Sequence, residues 1–341
     1  MRIAILYCLI NCITIPVLAQ HADDKAPKSM MYHSLVYHNK AEKALLFGGV
    51  SKHGWISDIS EVWQYDLQTH NWSKIGKYEA ISDSSVHAQS PVYDEESNRI
   101  IVFTSRGETW AFHLENRSWD NRRPKNSPPP RCGHSMAYDT ESDRIILFGG
   151  FGCSSIDDPI FNDTWIYDYN TNSWDQMKPY KNPPTRMYAS MAYNSIEDNI
   201  VLWGGRLIEA LDDNSLWKYD LNKNEWTQIS LSGGPAHAYA YPSMIYNPKR
   251  NRIVLFGGGK LESAFKGKQN NELWTFDFND SKWQLAITHG APTPVSLHSM
   301  MLIPDENEMI LFGGEIEVMY SNKMLQGTWV LDLENHQWQN Y

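Results

Sequence analysis

The sequence predicts an all-β protein built from six copies of one four-stranded sheet, and three landmarks recurring in the same order predict it. Tryptophans fall into six pairs nine residues apart: Trp63/Trp72, Trp110/Trp119, Trp165/Trp174, Trp217/Trp226, Trp274/Trp283 and Trp329/Trp338. These account for twelve of the fourteen in the chain. A diglycine precedes five of the pairs (Gly48-Gly49, Gly149-Gly150, Gly204-Gly205, Gly257-Gly258, Gly313-Gly314). A serine stands earlier still in every copy, at Ser34, Ser90, Ser135, Ser190, Ser243 and Ser299.

Each element of a copy follows from its residues. The first strand carries the serine and ends in a polar turn such as Asp139–Asp143. The second is almost continuously apolar, as in Ile145–Phe148 and Ile253–Phe256. Such a strand is buried on both faces, which sheets stacked face to face around an axis provide and a lone alternating sheet does not. The diglycine fits where strands crowd near that axis and the backbone must turn without a Cβ. The third strand opens the phrase Trp-x-aromatic/Leu-Asp, ending at Asp66, Asp168, Asp220, Asp277 and Asp332; only WAFH, ending at His113, departs. A turn rich in Asn, Asp and Thr leads to the fourth strand. The two indoles are expected near cross-strand register on one face. Trp203, in the place of a strand-ending Phe, is expected in the core.

Composition removes other classes. A chain of 341 residues with 42% hydrophobic and 21% charged residues is not disordered, collagenous or coiled-coil. A net charge of −10, with both signs well represented, gives no support to nucleic acid or an anionic membrane as partner. Met1-Arg2, the apolar run Ile3–Val17 and the small residues before Ala19 read as a cleaved secretory signal. The alternative of a membrane anchor is weakened by Asn11, Thr14 and Pro16 within the run. The mature protein is therefore expected to be secreted or periplasmic, without a membrane span.

These landmarks resemble the kelch-repeat family, over about Met30 to Tyr341. The resemblance implies a six-bladed β-propeller with blades at about 30–78, 86–123, 131–179, 186–231, 239–288 and 295–341, after a signal peptide at 1–19 and a leader segment at 20–29. Many kelch propellers complete one blade with strands from both chain ends. Here copy one begins with its serine strand and copy six ends with its second tryptophan strand, so closure should rest on packing alone.

Hairpin registration places first-strand starts beside the residues that follow the diglycines. In copy three, positions summing to about 284 face each other, which brings Cys132 near Cys153 and makes a disulfide plausible; two free thiols are the alternative. The same rim carries Arg131 and Arg186 four residues before the serine, and Arg106 and Arg206 after the glycine position. In kelch substrate adaptors, arginines at these places hold acidic ligands, so the resemblance implies a site for a carboxylate or sulfate, a group the guanidinium fork binds bidentately. A structural role for the Pro-x-Arg phrase is the alternative. Tyr32, Tyr188, Tyr239, Tyr241 and Trp55 accompany these arginines and suit stacking on a sugar ring, or packing between blades. Copy two lacks the diglycine and keeps only a short loop between Ser105 and Trp110, which predicts a notch beside Arg106.

Metal and redox motifs are absent from the sequence, and neither a metal nor a cofactor is expected. Plant specifier proteins of the kelch family hold iron with Glu-x3-Asp-x3-His; Glu209 and Asp213 match, but Trp217 fills the histidine place. The leading expectation is an exported, non-catalytic propeller binding an acidic glycan or peptide through Arg106, Arg131, Arg186 and Arg206. Exported sialic-acid mutarotases of the kelch family suggest a second, an isomerase of an anionic sugar with Glu315 or Glu209 as acid/base. A protein-interaction scaffold is the third. Asn71, Asn116, Asn162 and Asn279 begin Asn-x-Ser/Thr sequons whose use depends on the host.

Overall fold

A computed structural model describes residues 25–50, 61–77, 90–152, 154–155, 157–206, 214–235, 239, 241–263, 266–317, 321 and 323–341, with side chains of 260–263 and 266–267 excepted. Six four-stranded antiparallel sheets follow one another, each ordered first, second, third, fourth strand. Blade one comprises Met31–His38, Lys43–Val50, Glu61–Asp66 and Asn71–Lys77, and blade six Ser299–Ile303, Glu308–Phe312, Thr328–Asp332 and Gln337–Asn340. First strands of neighbouring blades touch, blade six against blade one included, so the six sheets close around an axis lined by their first strands. The chain is a six-bladed β-propeller. No strand is exchanged between blades one and six, as the phase of the repeat requires.

The recurrent serine explains how the ring is tied. Ser135 Oγ donates to Ala189 O at 2.6 Å, Ser190 Oγ to Pro242 O at 2.7 Å and Ser90 Oγ to His134 O at 3.1 Å, in each case the backbone of the next blade. Ser243 Oγ accepts from Met300 N at 3.1 Å. At the closing seam Ser299 Oγ accepts from Leu35 N at 2.8 Å. A small hydroxyl at this position therefore joins blades around the axis by hydrogen bonds, each worth roughly 1 kcal/mol net.

The tryptophans differ in register from the expectation. The second of each pair lies opposite the residue two places after the first, as in Tyr65↔Trp72, Tyr167↔Trp174, Tyr219↔Trp226, Phe276↔Trp283 and Leu331↔Trp338. The indoles thus share a face but are diagonal, because the hairpin turn holds an extra residue in the left-handed conformation. His70, Asn172 and Asn224 occupy that place with φ of 54°, 52° and 51°. The tyrosine hydroxyl caps it: Tyr167 donates to Asn172 Oδ1 at 2.7 Å and Tyr219 to Asn224 Oδ1 at 2.9 Å. The repeat aspartate accepts turn amides, Asp66 Oδ1 from Gln68 and Thr69, Asp168 Oδ1 from Asn170 and Thr171.

The second indole reaches across the seam. Trp174 Nε1 donates to Thr109 Oγ1 at 2.8 Å, Trp226 Nε1 to Thr164 Oγ1 at 2.9 Å and Trp72 Nε1 to Thr328 Oγ1 at 2.9 Å. Each threonine stands immediately before the first tryptophan of the preceding blade. Blades four and five carry Leu216 and Leu273 there, packed against Trp283 and Trp338, whose indole N–H groups are buried without a partner among the described residues. Trp203 is fully buried, as expected.

Candidate functional site at the diglycine face

At the diglycine end of the channel, side chains from one repeat position converge. Two residues before the serine, Tyr32, Tyr188, Tyr241 and Leu297 all take positive φ, 58°, 58°, 57° and 60°. The backbone there forms an inner belt: Tyr32 N donates to Leu297 O at 3.2 Å, Leu297 N to Tyr241 O at 3.4 Å and Tyr188 N to Gly133 O at 2.7 Å. Bulky residues in this conformation cost on the order of 1–3 kcal/mol each and persist only where the surroundings impose it, and such strain concentrates at functional positions. The belt is what imposes it. It turns the three phenol rings toward one another, Tyr188 and Tyr241 at 4.5 Å, Tyr32 at 6.2 Å and 6.1 Å from them. Met31, Val50, Leu297 and Met324 complete the cluster. In blade three the position is Gly133, where a Cβ would approach the Tyr188 ring to 2.8 Å.

The arginines separate into two kinds. Arg131 is wholly buried and forks onto Asp163, Nη1 to Oδ1 at 2.6 Å and Nη2 to Oδ2 at 2.9 Å. It also donates to Gly149 O and Pro129 O, and lies 4.0 Å over the Phe161 ring. Arg186 is equally buried, donating to Gly204 O at 3.1 Å and Pro184 O at 3.2 Å. These guanidinium groups fix the loop before the first strand to the diglycine of the same blade, and their burial favours the structural alternative for the Pro-x-Arg phrase. Tyr239 occupies the equivalent place in blade five. It too is buried, donating to Glu272 Oε2 at 2.7 Å beside the Trp203 ring, and burial together with the Glu272 carboxylate raises its pKa.

Arg206 and Arg106 remain at the surface. Arg206 is half-buried, and its backbone pairs with Met187 (Arg206 N to Met187 O, 2.8 Å), which sets it beside Tyr188. Arg106 is exposed on the shortened loop of blade two, a tight turn closed by Thr104 N to Glu108 O at 2.8 Å. The notch expected there is partly filled: a Cβ at Gly107 would meet Pro130 at 3.3 Å, so the segment leading into blade three lies over the turn. Glu315, expected as a rim carboxylate, is fully buried. It pairs through its backbone with Ser296, and Ser321 Oγ lies 3.4 Å from its Oε1. Glu209, Trp55 and Cys153 lie outside the described residues. Cys132 is buried and its backbone bonds Phe151 in both directions, 2.8 and 2.9 Å, so the strand pairing runs two residues short of position 153. No group of three or more metal-ligating side chains comes together among the described residues.

Three histidines just before the serine, His33, His134 and His298, are buried at blade seams with rings edge-on to Phe312, Phe103 and Phe256 of the preceding blade. Desolvation pushes His33 down to about 4 despite its 2.9 Å contact with Phe312 O, and His134 and His298 to about 3; Arg131 adds to the effect on His134 and His33 to that on His298.

Sheets of this geometry and repeat define a kelch-type β-propeller. The chain belongs to the Attractin/LZTR1 β-propeller family, whose model matches residues 17–155 and 103–341. It is 28% identical over 207 residues to Mei4-dependent protein 6 of Schizosaccharomyces pombe, covering 54% of this chain and 28% of that protein. It is 27% identical over 254 residues to Kelch repeat-containing protein 2 of Saccharomyces cerevisiae, covering 68% and 27%. With the mouse Rab9 effector protein with kelch motifs it shares 26% over 199 residues, covering 56% and 49%. The chain thus spans between about a quarter and a half of the length of these relatives.

Proposed function

We propose that the protein is an exported interaction scaffold whose diglycine face docks an acidic segment of a partner protein over the tyrosine-lined channel mouth. The observation that carries this reading is the convergence of the partly exposed Tyr32 and Tyr188 over the buried Tyr241, from three blades and in a strained backbone state, at the centre of one face. Tyrosine and arginine are the residues that dominate protein interfaces, because each offers large contact area with a polar tip. Arg206 pairs through its backbone with Met187, the residue before Tyr188, and Arg106 is exposed, so a carboxylate-bearing segment fits this face better than a neutral one. Similarity to the Rab9 effector protein with kelch motifs supports a scaffold over an enzyme, as does the burial of Glu315. The signal-like run at residues 1–19 supports export, which N-terminal sequencing of the mature chain checks.

The test is recovery of partners with the tagged full chain from its own host. Arg206→Glu is expected to reduce the recovered partner at least tenfold, and Glu141→Arg, on the opposite face, to leave it unchanged. Equal recovery with both variants would remove the diglycine face from consideration.

A further inference from the structure

Blade five breaks the repeat at its outer edge. In every blade the fourth strand is outermost. Two residues after its tryptophan, five blades place a polar residue: Lys74, Asn121, Gln176, Gln228 and Asn340. Blade five places Leu285. Four residues after the tryptophan the chain has Gly76, Arg123, Lys178 and Ser230, but Ile287 in blade five. Leu285 is 53% and Ile287 80% exposed, so neither apolar side chain serves the core. Polar residues on open edges are how sheet proteins discourage pairing with other chains; blade five omits that protection.

Among the described residues its edge is also open in the hydrogen-bonding sense beyond Trp283. Trp283 N donates to Ser232 O at 2.9 Å, so the backbone at Trp283 faces outward and the linker ahead of the blade covers that part of the edge. Strand alternation turns the backbone of Leu285 outward as well, while Gln284 and Ala286 pair inward with Thr275 and Leu273. A Cβ at Gly233 or Gly234 of the linker would meet Trp283. Beside this edge a cleft of about 340 Å³ runs between blades five and six, lined by Arg250, Arg252, Leu285, Ile287, Leu333 and His336.

Charge selects the occupant. The hairpin turns of blade five carry Lys249, Arg250, Arg252 and Lys282 against Asp277 and Asp280, whereas those of blade two carry Asp94, Glu95, Glu96 and Glu115 against Arg99 and Arg117, and those of blade six carry Asp305, Glu306, Glu308, Asp332 and Glu334 with no lysine or arginine. Arg252 is held by Asp277 at 2.8 Å, but the partner of Arg250 is Glu334, a largely exposed carboxylate that an incoming one can replace. We infer that this edge is a second docking surface, at which an extended segment of a partner protein, apolar at alternate positions and acidic between them, adds a fifth strand to blade five. Main-chain bonds to Leu285 would supply the affinity, and the apolar side chains over Leu285 and Ile287, with carboxylates toward Arg250, the specificity.

The probe is a fluorescein-labelled eight-residue peptide of alternating valine and glutamate, titrated against the full chain by fluorescence anisotropy. It should bind at least tenfold more tightly than alternating valine and lysine, or than the same peptide with proline at each valine. Leu285→Lys with Ile287→Lys should weaken it at least tenfold while leaving the melting temperature unchanged, because both sites are exposed. Hydrogen exchange should slow at Leu285 and its neighbours when the peptide is added. Failure of the glutamate peptide to bind, equal binding to the double variant, or equal binding of the lysine peptide would overturn the inference. So would a dimer in sedimentation that Leu285→Lys dissociates, since the edge would then belong to a second copy.

Discussion

Thr164→Val tests the cross-seam tryptophan bond with little change of shape. Valine keeps the branched outline of threonine and removes only the oxygen that accepts Trp226 Nε1 at 2.9 Å. Both side chains are buried, so the indole N–H loses its partner with no water to replace it. A buried donor left unsatisfied costs about 1–3 kcal/mol. With unfolding entropy near 2.1 cal/mol/K per residue, that corresponds to a fall of about 1.5–5 °C in melting temperature for a chain of this size. Chemical denaturation of Thr164→Val, Trp226→Phe and the double variant gives the pairwise term directly, expected near 1 kcal/mol. The seam between blades four and five is the natural comparison, since Leu216 stands there and Trp283 has no such bond among the described residues. If Thr164→Val stays within about 0.3 kcal/mol of the parent, or the cycle closes without coupling, the bond does not stabilise the ring and the reasoning fails.

Four further outcomes follow from the same structure. His33, His134 and His298 are held neutral by burial, their folded pKa values lying below the ordinary 6.5, so the unfolded chain binds the extra protons; stability is intact above pH 6.5 and falls as pH drops toward about 4 for His33 and about 3 for the others. The slope, up to about 1.4 kcal/mol per pH unit for each histidine, should flatten in His134→Met when denaturation midpoints are measured across that range. Arg131→Met removes the partner of Asp163 and should cost about 2–4 kcal/mol in denaturant unfolding, without weakening partner binding per folded molecule. Gly149→Ala sets a Cβ 2.7 Å from Arg186 O at φ +68°, and should lower stability by more than about 2 kcal/mol. Cys132 and Cys153 are proposed to form a disulfide; peptide mapping without reductant should recover the two peptides joined, and finding both alkylated instead would refute it.

Much of the frame was legible because one repeat writes it six times. The tryptophan spacing, the diglycines and the apolar second strands each report a burial demand that only stacked sheets meet, and the phase of the copies foretold closure without strand exchange. The tryptophan register was missed by two residues because it depends on the left-handed residue at His70, Asn172 and Asn224, a backbone state that spacing alone does not reveal. The serine was seen as a landmark without its role, since its partner lies in another blade. Site residues were harder. Arg131 and Arg186 look like ligand arginines in one dimension, and Asp163, which occupies Arg131, stands 32 residues farther on. Tyr32, Tyr188 and Tyr241 carried a usable signal, all standing two places before the serine. Leu285 and Ile287 carried another, being apolar where the other copies have a polar residue or glycine.

Docking of partners on the diglycine face is decided by a photo-crosslinking amino acid placed singly at position 206 or at position 141 of the full chain in its host. The account predicts covalent partner adducts from position 206 and none from position 141. Adducts from position 141 alone would contradict it.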